Sequence, residues 1–135
     1  MSRGIEILLG EILDAIALLR DYTEGLDFDA FAANVEKQDS VIRRLEIIGE
    51  AVKGVPAEVK ASHPAIPWRD IAGARDILIH EYFRVDLEMA WDMVRKDLPL
   101  LEAEVRGILQ ELHATTVRYN EVKIRAAQSR GKIWC

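Results

Sequence analysis

Apolar residues recur every three or four positions through most of the chain, the spacing of one face of an α-helix. From Ser2, which suits an N-cap, the pattern runs through Ile5, Leu8, Leu9, Ile12, Ile16 and Leu19 until "YTEGLDFD" interrupts it. A second run uses Phe31, Val35, Ile42, Leu45, Ile48 and Val52. It starts near Asp27 or Asp29 and stops at Gly54, two residues before Pro56. The two runs predict long helices packed as an antiparallel hairpin. The stretch "VPAEVKASHPAIPW" holds three of the four prolines, so it is a connector with room for one short turn. Pro67 suits the first position of a third helix through "WRDIAGARDILIHEY", with Ile71, Ala74, Leu78 and Phe83 turned inward. Asp86 is the expected N-cap of a fourth, buried along Leu87, Trp91, Val94, Leu98, Leu101, Val105 and Ile108. Pro99 lies inside that run and predicts a kink or break.

There is no strand-like alternation, internal repeat or low-complexity segment, so the fold class is all-α, a bundle of four main helices. Residues 1–113 form its domain. After His113 the periodicity weakens, and residues 114–135 read as a basic extension with a short helix around Val117 to Ala127, folded where something receives it.

Charge sharpens this division. Residues 114–135 carry five basic groups against one acid, or +4 of a net −5, which leaves −9 for residues 1–113. An acidic body argues against a broad nucleic-acid face and leaves room only for a local cluster of arginines. No apolar run approaches the roughly 20 residues of a membrane helix, and the N-terminus does not suit a secretory signal. The chain is expected in the cytoplasm, a reducing compartment that agrees with a lone cysteine, Cys135. His63 and His113 lack ligand spacing to an acid or cysteine, so no metal site is expected. Trp68 and Trp91 are expected as core or interface anchors. Gly49 suits a close helix approach, and Glu50 a contact across the bundle.

The candidate chemistry lies in "GARDILIHEYFRVD", which spaces Arg75, His80 and Tyr82 as Arg-x4-His-x-Tyr. On a straight helix, residues five apart point about 140 degrees from each other, so Arg75 and His80 do not share a face. Asp76 precedes His80 by four and is placed to orient its imidazole or raise its pKa, the arrangement a general base needs. The plain alternatives are a histidine set against a helix C-terminus and a solvated arginine.

"IPWRDIAGARDILIHEYFRVD", with "VIRRLEIIGEAVKGVP" before it and "WDMVRKDLPLL" after it, resembles the HepT family of prokaryotic toxins in the HEPN superfamily, over residues 1 to about 112. The resemblance implies a four-to-five-helix up-and-down bundle that forms a homodimer, with the motifs of two copies facing across a cleft. It also implies a metal-independent endoribonuclease that needs no cofactor and acts on cellular RNA. In that reading Arg75 and His80 are catalytic and Asp76 is the polar residue that follows the arginine. Tyr82 is implied as the acceptor of AMP from a cognate MntA-like nucleotidyltransferase antitoxin. Arg43 and Arg44 are candidates for positioning RNA, with exposed salt-bridging charges as the plain alternative. A second implied role is a catalytically weak binding module, partner and AMP acceptor of that nucleotidyltransferase, which leaves RNA uncut. The tail departs from the family pattern, and neither Tyr119 nor Cys135 receives a function.

Overall fold

The structure, a computed structural model, describes residues 3–78 and 84–134, with side chains over 4–74 and 86–129. Among these residues every regular element is helical. The chain divides into two compact units, Met1–Val105 and Arg106–Cys135.

In the first unit, α1 (Arg3–Thr23) buries Ile5, Leu9, Ile12, Ile16 and Leu19, the stripe its spacing predicts. Its end is closed locally. The Thr23 hydroxyl donates to the Leu19 carbonyl at 2.8 Å, and Gly25 turns the chain at φ +75°, where a side chain would strain the backbone.

The second run is not one helix. Asp27 does cap its start, accepting from the Ala30 N–H at 2.8 Å, but α2 covers only Phe28–Ala32. Asn34 then begins α3 (Val35–Lys53) by accepting from the Lys37 N–H at 3.1 Å. Gln38, 7% exposed, fastens the break by donating to the carbonyls of Phe31 and Ala32 at 3.1 and 2.9 Å. The interruption resets the helical phase. Val35 therefore lies 68% exposed, contrary to its expected inward place, while Phe31, Ile42, Leu45, Ile48 and Val52 are buried as expected.

Helices α1 and α3 pair extensively and run antiparallel: Leu8 meets Gly54 at one end, and the Lys37 ammonium sits 5.9 Å from the Tyr22 ring at the other. A Cβ on Gly54 would lie 2.9 Å from the Leu8 Cδ1, so the close approach itself calls for glycine. Gly49 is also buried.

The proline-rich connector holds one short helix, α4 (Ala57–Ser62). It is anchored by the Trp68 indole N–H, which donates to the His63 carbonyl at 3.0 Å, and by burial of Val55, Ile66 and Trp68. Helix α5 (Trp68–Leu78) follows Pro67 and packs on α3, with Ile71 and Ala74 buried. Phe83 and the Leu78 side chain lie outside the described residues.

Helix α6 (Arg84–Asp92) begins two residues before Asp86, which is thus in its first turn and not its N-cap. An acid there still faces the positive end of the helix dipole, which explains why the two positions look alike in sequence. The expected disturbance at Pro99 takes the form of a π-helical turn, Met93–Asp97, ahead of α7 (Leu98–Trp134). The Leu98 N–H bonds to the Met93 carbonyl, five residues back. A proline has no N–H to give and its ring presses on the carbonyl four residues earlier, so the wider turn gives the backbone room just before Pro99. Leu87, Trp91, Leu98, Leu101 and Val105 are buried, and Val94 is half-buried. Trp91 stacks on Phe31 at 5.1 Å between ring centroids, under the Arg95 guanidinium, which also donates to the Leu26 carbonyl.

The second unit is one helix: Ile108 is buried, as expected, and beyond Leu112 every side chain described is exposed. The helix is continuous through the short segment expected at Val117 to Ala127. Among the described residues no helix is long and apolar enough to cross a membrane.

Candidate functional site

The motif begins on α5. Trp68 pins the start of this helix and the buried pair Ile71 and Ala74 fixes its roll, which sets where positions 75 and 76 fall on the bundle. Position 76 lies about 160 degrees round the helix from Ala74, away from the buried side, and position 75 lies on the flank. Arg75 and Asp76 are thus placed as helical positions with their side chains outside the description. His80 and Tyr82 lie outside the described residues.

One turn before the motif, α5 forms a wall of a groove of about 670 Å³. Arg69, Asp70, Gly73 and Ala74 line it from α5, and Glu88, Met89, Asp92, Met93 and Asp97 from α6 and the π-helical turn. Among the described residues that line it are four carboxylates and one arginine. Burial pushes the Asp97 carboxyl above the usual carboxylate range, and the negative charges of Asp70 and Asp92 push it further, against an opposing pull from Lys96. Ala74, Met89 and Met93 give the described lining its apolar part. Single-chain pattern reading missed this groove, because its acids come from three elements that only the fold brings together; the Glu88 and Asp92 spacing of four was the one visible hint.

The two arginines proposed for RNA differ sharply. Arg43 has a side chain 68% exposed and reaches Glu46 at 3.4 Å, the surface ion pair of the plain reading. It borders a depression that also carries Glu11, Glu46 and Glu50. Arg44 is half-buried, and its Nε is covered with no hydrogen-bond partner among the described residues.

A second pairing also escaped sequence reading. His63, without an acidic neighbour at any useful spacing in sequence, meets Glu104 of α7 at 2.7 Å between Nδ1 and Oε2. Arg20 similarly meets Glu102 at 2.8 Å, and that bond, with the charge beside it, raises the arginine pKa. Both are ties between α7 and the earlier elements of the first unit. Trp68 and Trp91 are core anchors in this unit. Among the described residues no group of three histidine, cysteine or carboxylate side chains is arranged to hold a metal ion.

Comparison with known proteins gives the chain its family. Residues 12–108, which include all of α3 and α5 and the whole motif, match the family described as Ribonuclease HepT-like. A Methanocaldococcus jannaschii protein whose name joins a gamma-glutamylcyclotransferase to an RNase is 45% identical over 112 residues; the match covers 83% of this chain and 50% of that protein. The chain thus spans half the length of this relative. "Probable ribonuclease HepT" of Thermococcus cleftensis is 43% identical across 77% of this chain and 94% of its own. A protein of Caldanaerobacter subterraneus subsp. tengcongensis, also named for RNase, is 42% identical across 76% and 92%. No solved structure gives a significant match. An all-α bundle, the motif on and after α5, and this breadth of similarity lead to one statement: the chain belongs to the HepT-like ribonuclease family.

Proposed function

We propose that the chain is the toxin of a HepT/MntA-type pair, an endoribonuclease that works without a metal and is silenced by AMP transfer to Tyr82. The observation that carries this reading is the complete set Arg75, His80 and Tyr82 in the sequence, inside the stretch the family covers. His80 takes the proton of a ribose 2′-hydroxyl as its oxygen attacks the neighbouring phosphorus, and a proton returned to the 5′-oxygen lets that group leave. The products are a 2′,3′-cyclic phosphate and a free 5′-hydroxyl. Arg75 stabilises the added charge on the phosphorus, its planar fork matching two phosphate oxygens. Asp76 holds the imidazole in a useful tautomer. A homodimer supplies two such sets around one phosphate, which removes the difficulty that Arg75 and His80 diverge on a single helix. AMP on Tyr82, two residues from His80, brings bulk and negative charge to a groove meant for RNA, and a neighbouring MntA-like nucleotidyltransferase would attach it.

The test is incubation of the protein, shown unmodified by intact mass, with total tRNA and a messenger RNA in excess chelator, beside folded His80→Ala and Arg75→Ala variants. Cleavage that survives chelation and is lost in both variants supports the reading; intact RNA with the unmodified wild type rejects it for those substrates. One observation favours a second reading, a binding module that accepts AMP and leaves RNA uncut: the groove beside the motif is acidic where a polyanion would need cations. Incubation with ATP and the nucleotidyltransferase then gives a mass gain on Tyr82 without any RNA cleavage by the unmodified chain.

A further inference from the structure

The ribonuclease reading leaves a physical problem. A polyanion must be drawn to a body of net charge −9, and four carboxylates are among the described residues that line the groove one turn before the motif. Proteins that hold RNA normally supply cations for its phosphates, and that supply dominates affinity. The excess of cations in this chain is all in its last 22 residues.

Those residues fold as helix. Taken by itself, the second unit is a helix whose side chains from His113 to Ser129 are all exposed, and an isolated helix of this kind is marginal in water unless something binds it. Arg118 and Arg125 are seven apart and share a row along it, with Lys123 on the other side of Tyr119 and Val122. Glu121 is the one acid of this segment. Tyr119 is 63% exposed, and the Lys123 ammonium lies 5.8 Å from the centre of its ring, so an aromatic face and a cation are displayed together. Cations with an interleaved aromatic ring are the recognition chemistry of single-stranded RNA: phosphates meet the charges and a base stacks on the ring.

A second copy of the same helix fits this surface poorly. Pairing along Tyr119, Val122 and Ala126 would put Arg118, Lys123 and Arg125 at the flanking positions of both helices, where like charges oppose each other. The charge selects a polyanion.

We infer that the α7 helix beyond His113 is an RNA-holding arm, which binds a single-stranded segment of the substrate through Arg118, Lys123 and Arg125 with Tyr119 as a stacking surface. The inference rests on the ribonuclease reading for its biological sense, but its test reads binding and not cleavage. The arm contributes affinity and the motif contributes chemistry, so an arm variant raises KM and leaves kcat unchanged.

The experiment is fluorescence anisotropy of a labelled single-stranded 20-nucleotide RNA titrated with the full-length protein in a His80→Ala background, from 50 to 300 mM salt. The triple variant Arg118→Gln/Lys123→Gln/Arg125→Gln keeps good helix formers at each position, and circular dichroism confirms its helicity. At physiological salt it binds roughly 10- to 50-fold more weakly, and its log affinity against log salt is shallower by about 2, the slope of three lost single-strand phosphate contacts. The charge-keeping variant Arg118→Lys/Arg125→Lys stays within threefold of the parent. Tyr119→Ala weakens binding by about 5- to 100-fold, the worth of one stacked base. Unchanged affinity and slope in the triple variant overturns the inference. So does a triple variant with unchanged RNA affinity whose own sedimentation mass shifts, since the helix then serves a protein contact. Failure of the ribonuclease reading looks different: no RNA is cut by the wild type, whatever the anisotropy shows.

Discussion

The two units of this chain are both helical, but they are helical for different reasons. In the first, each helix buries a stripe against a neighbour: Leu9 and Ile12 on α1, Leu45 and Ile48 on α3, and Leu101 on α7 are all 1% exposed or less. In the second, Val117, Tyr119, Val122 and Ile124 stand 41–64% exposed on one helix. The body is held by tertiary packing, whereas beyond Leu112 the described helix shows only local bonds and contacts. Amphipathic periodicity therefore announces a core when it lasts, and its weakening after His113 announces a helix that lacks one.

The strongest way to break the comparison is to make equivalent deletions in both units. Phe31→Ala removes a fully buried ring stacked on Trp91 and should destabilise the body by about 3–5 kcal/mol, whereas Val122→Ala on the tail should fall within about 0.5 kcal/mol. Urea unfolding of the two variants measures this, and comparable losses would show that the tail shares the body's core. Next in size is Gln38→Ala. It takes the side-chain donor from the Ala32 carbonyl while leaving Phe31 its bond from the Asn34 N–H, for a loss of about 1–3 kcal/mol. Gly25→Ala should cost about 1 kcal/mol from backbone strain alone, since nothing lies within 4 Å of its Cβ position. A larger loss would mean that the turn after α1 packs more tightly than its surroundings show.

The smallest effect concerns Asp97. Its folded-state pKa is raised, so between the unfolded and folded values the folded chain binds more protons and stability falls as pH rises through that window. Asp97→Asn should therefore raise Tm slightly at pH 7, and the gain should shrink toward zero as pH drops below about 4. A gain independent of pH would place its cause outside the charge of Asp97.

How much of this was legible beforehand follows from the range of each interaction. The stripes of α1 and α3 were, because helical spacing is local. The break at Asn34 was not: Phe31 and Val35 keep a spacing of four, so the pattern runs on across a cap that works through Asn34 and a distant glutamine. Pro99 promised a disturbance without specifying its form, and the π-helical turn is one of several ways to free the carbonyl before it. Within the candidate site, the motif of Arg75, His80 and Tyr82 could be read as spacing plus resemblance. The acidic groove could not, since Asp70 and Asp97 are 27 residues apart and meet only when α5 lies beside α6 and the π-helical turn. The same holds for the bond of His63 to Glu104, which crosses 41 positions.

That last bond also sets an order of events at the ribosome. The residues of the α1 and α3 pairing are all made by residue 54, before α5 is available to pack on α3. The side-chain bond of His63 must wait for Glu104, which follows α5 and α6 in the chain, although Trp68 already holds the connector through the His63 carbonyl. The chain is therefore fastened here twice, first locally through the Trp68 indole on the His63 carbonyl and later across 41 positions through the His63 ring on Glu104.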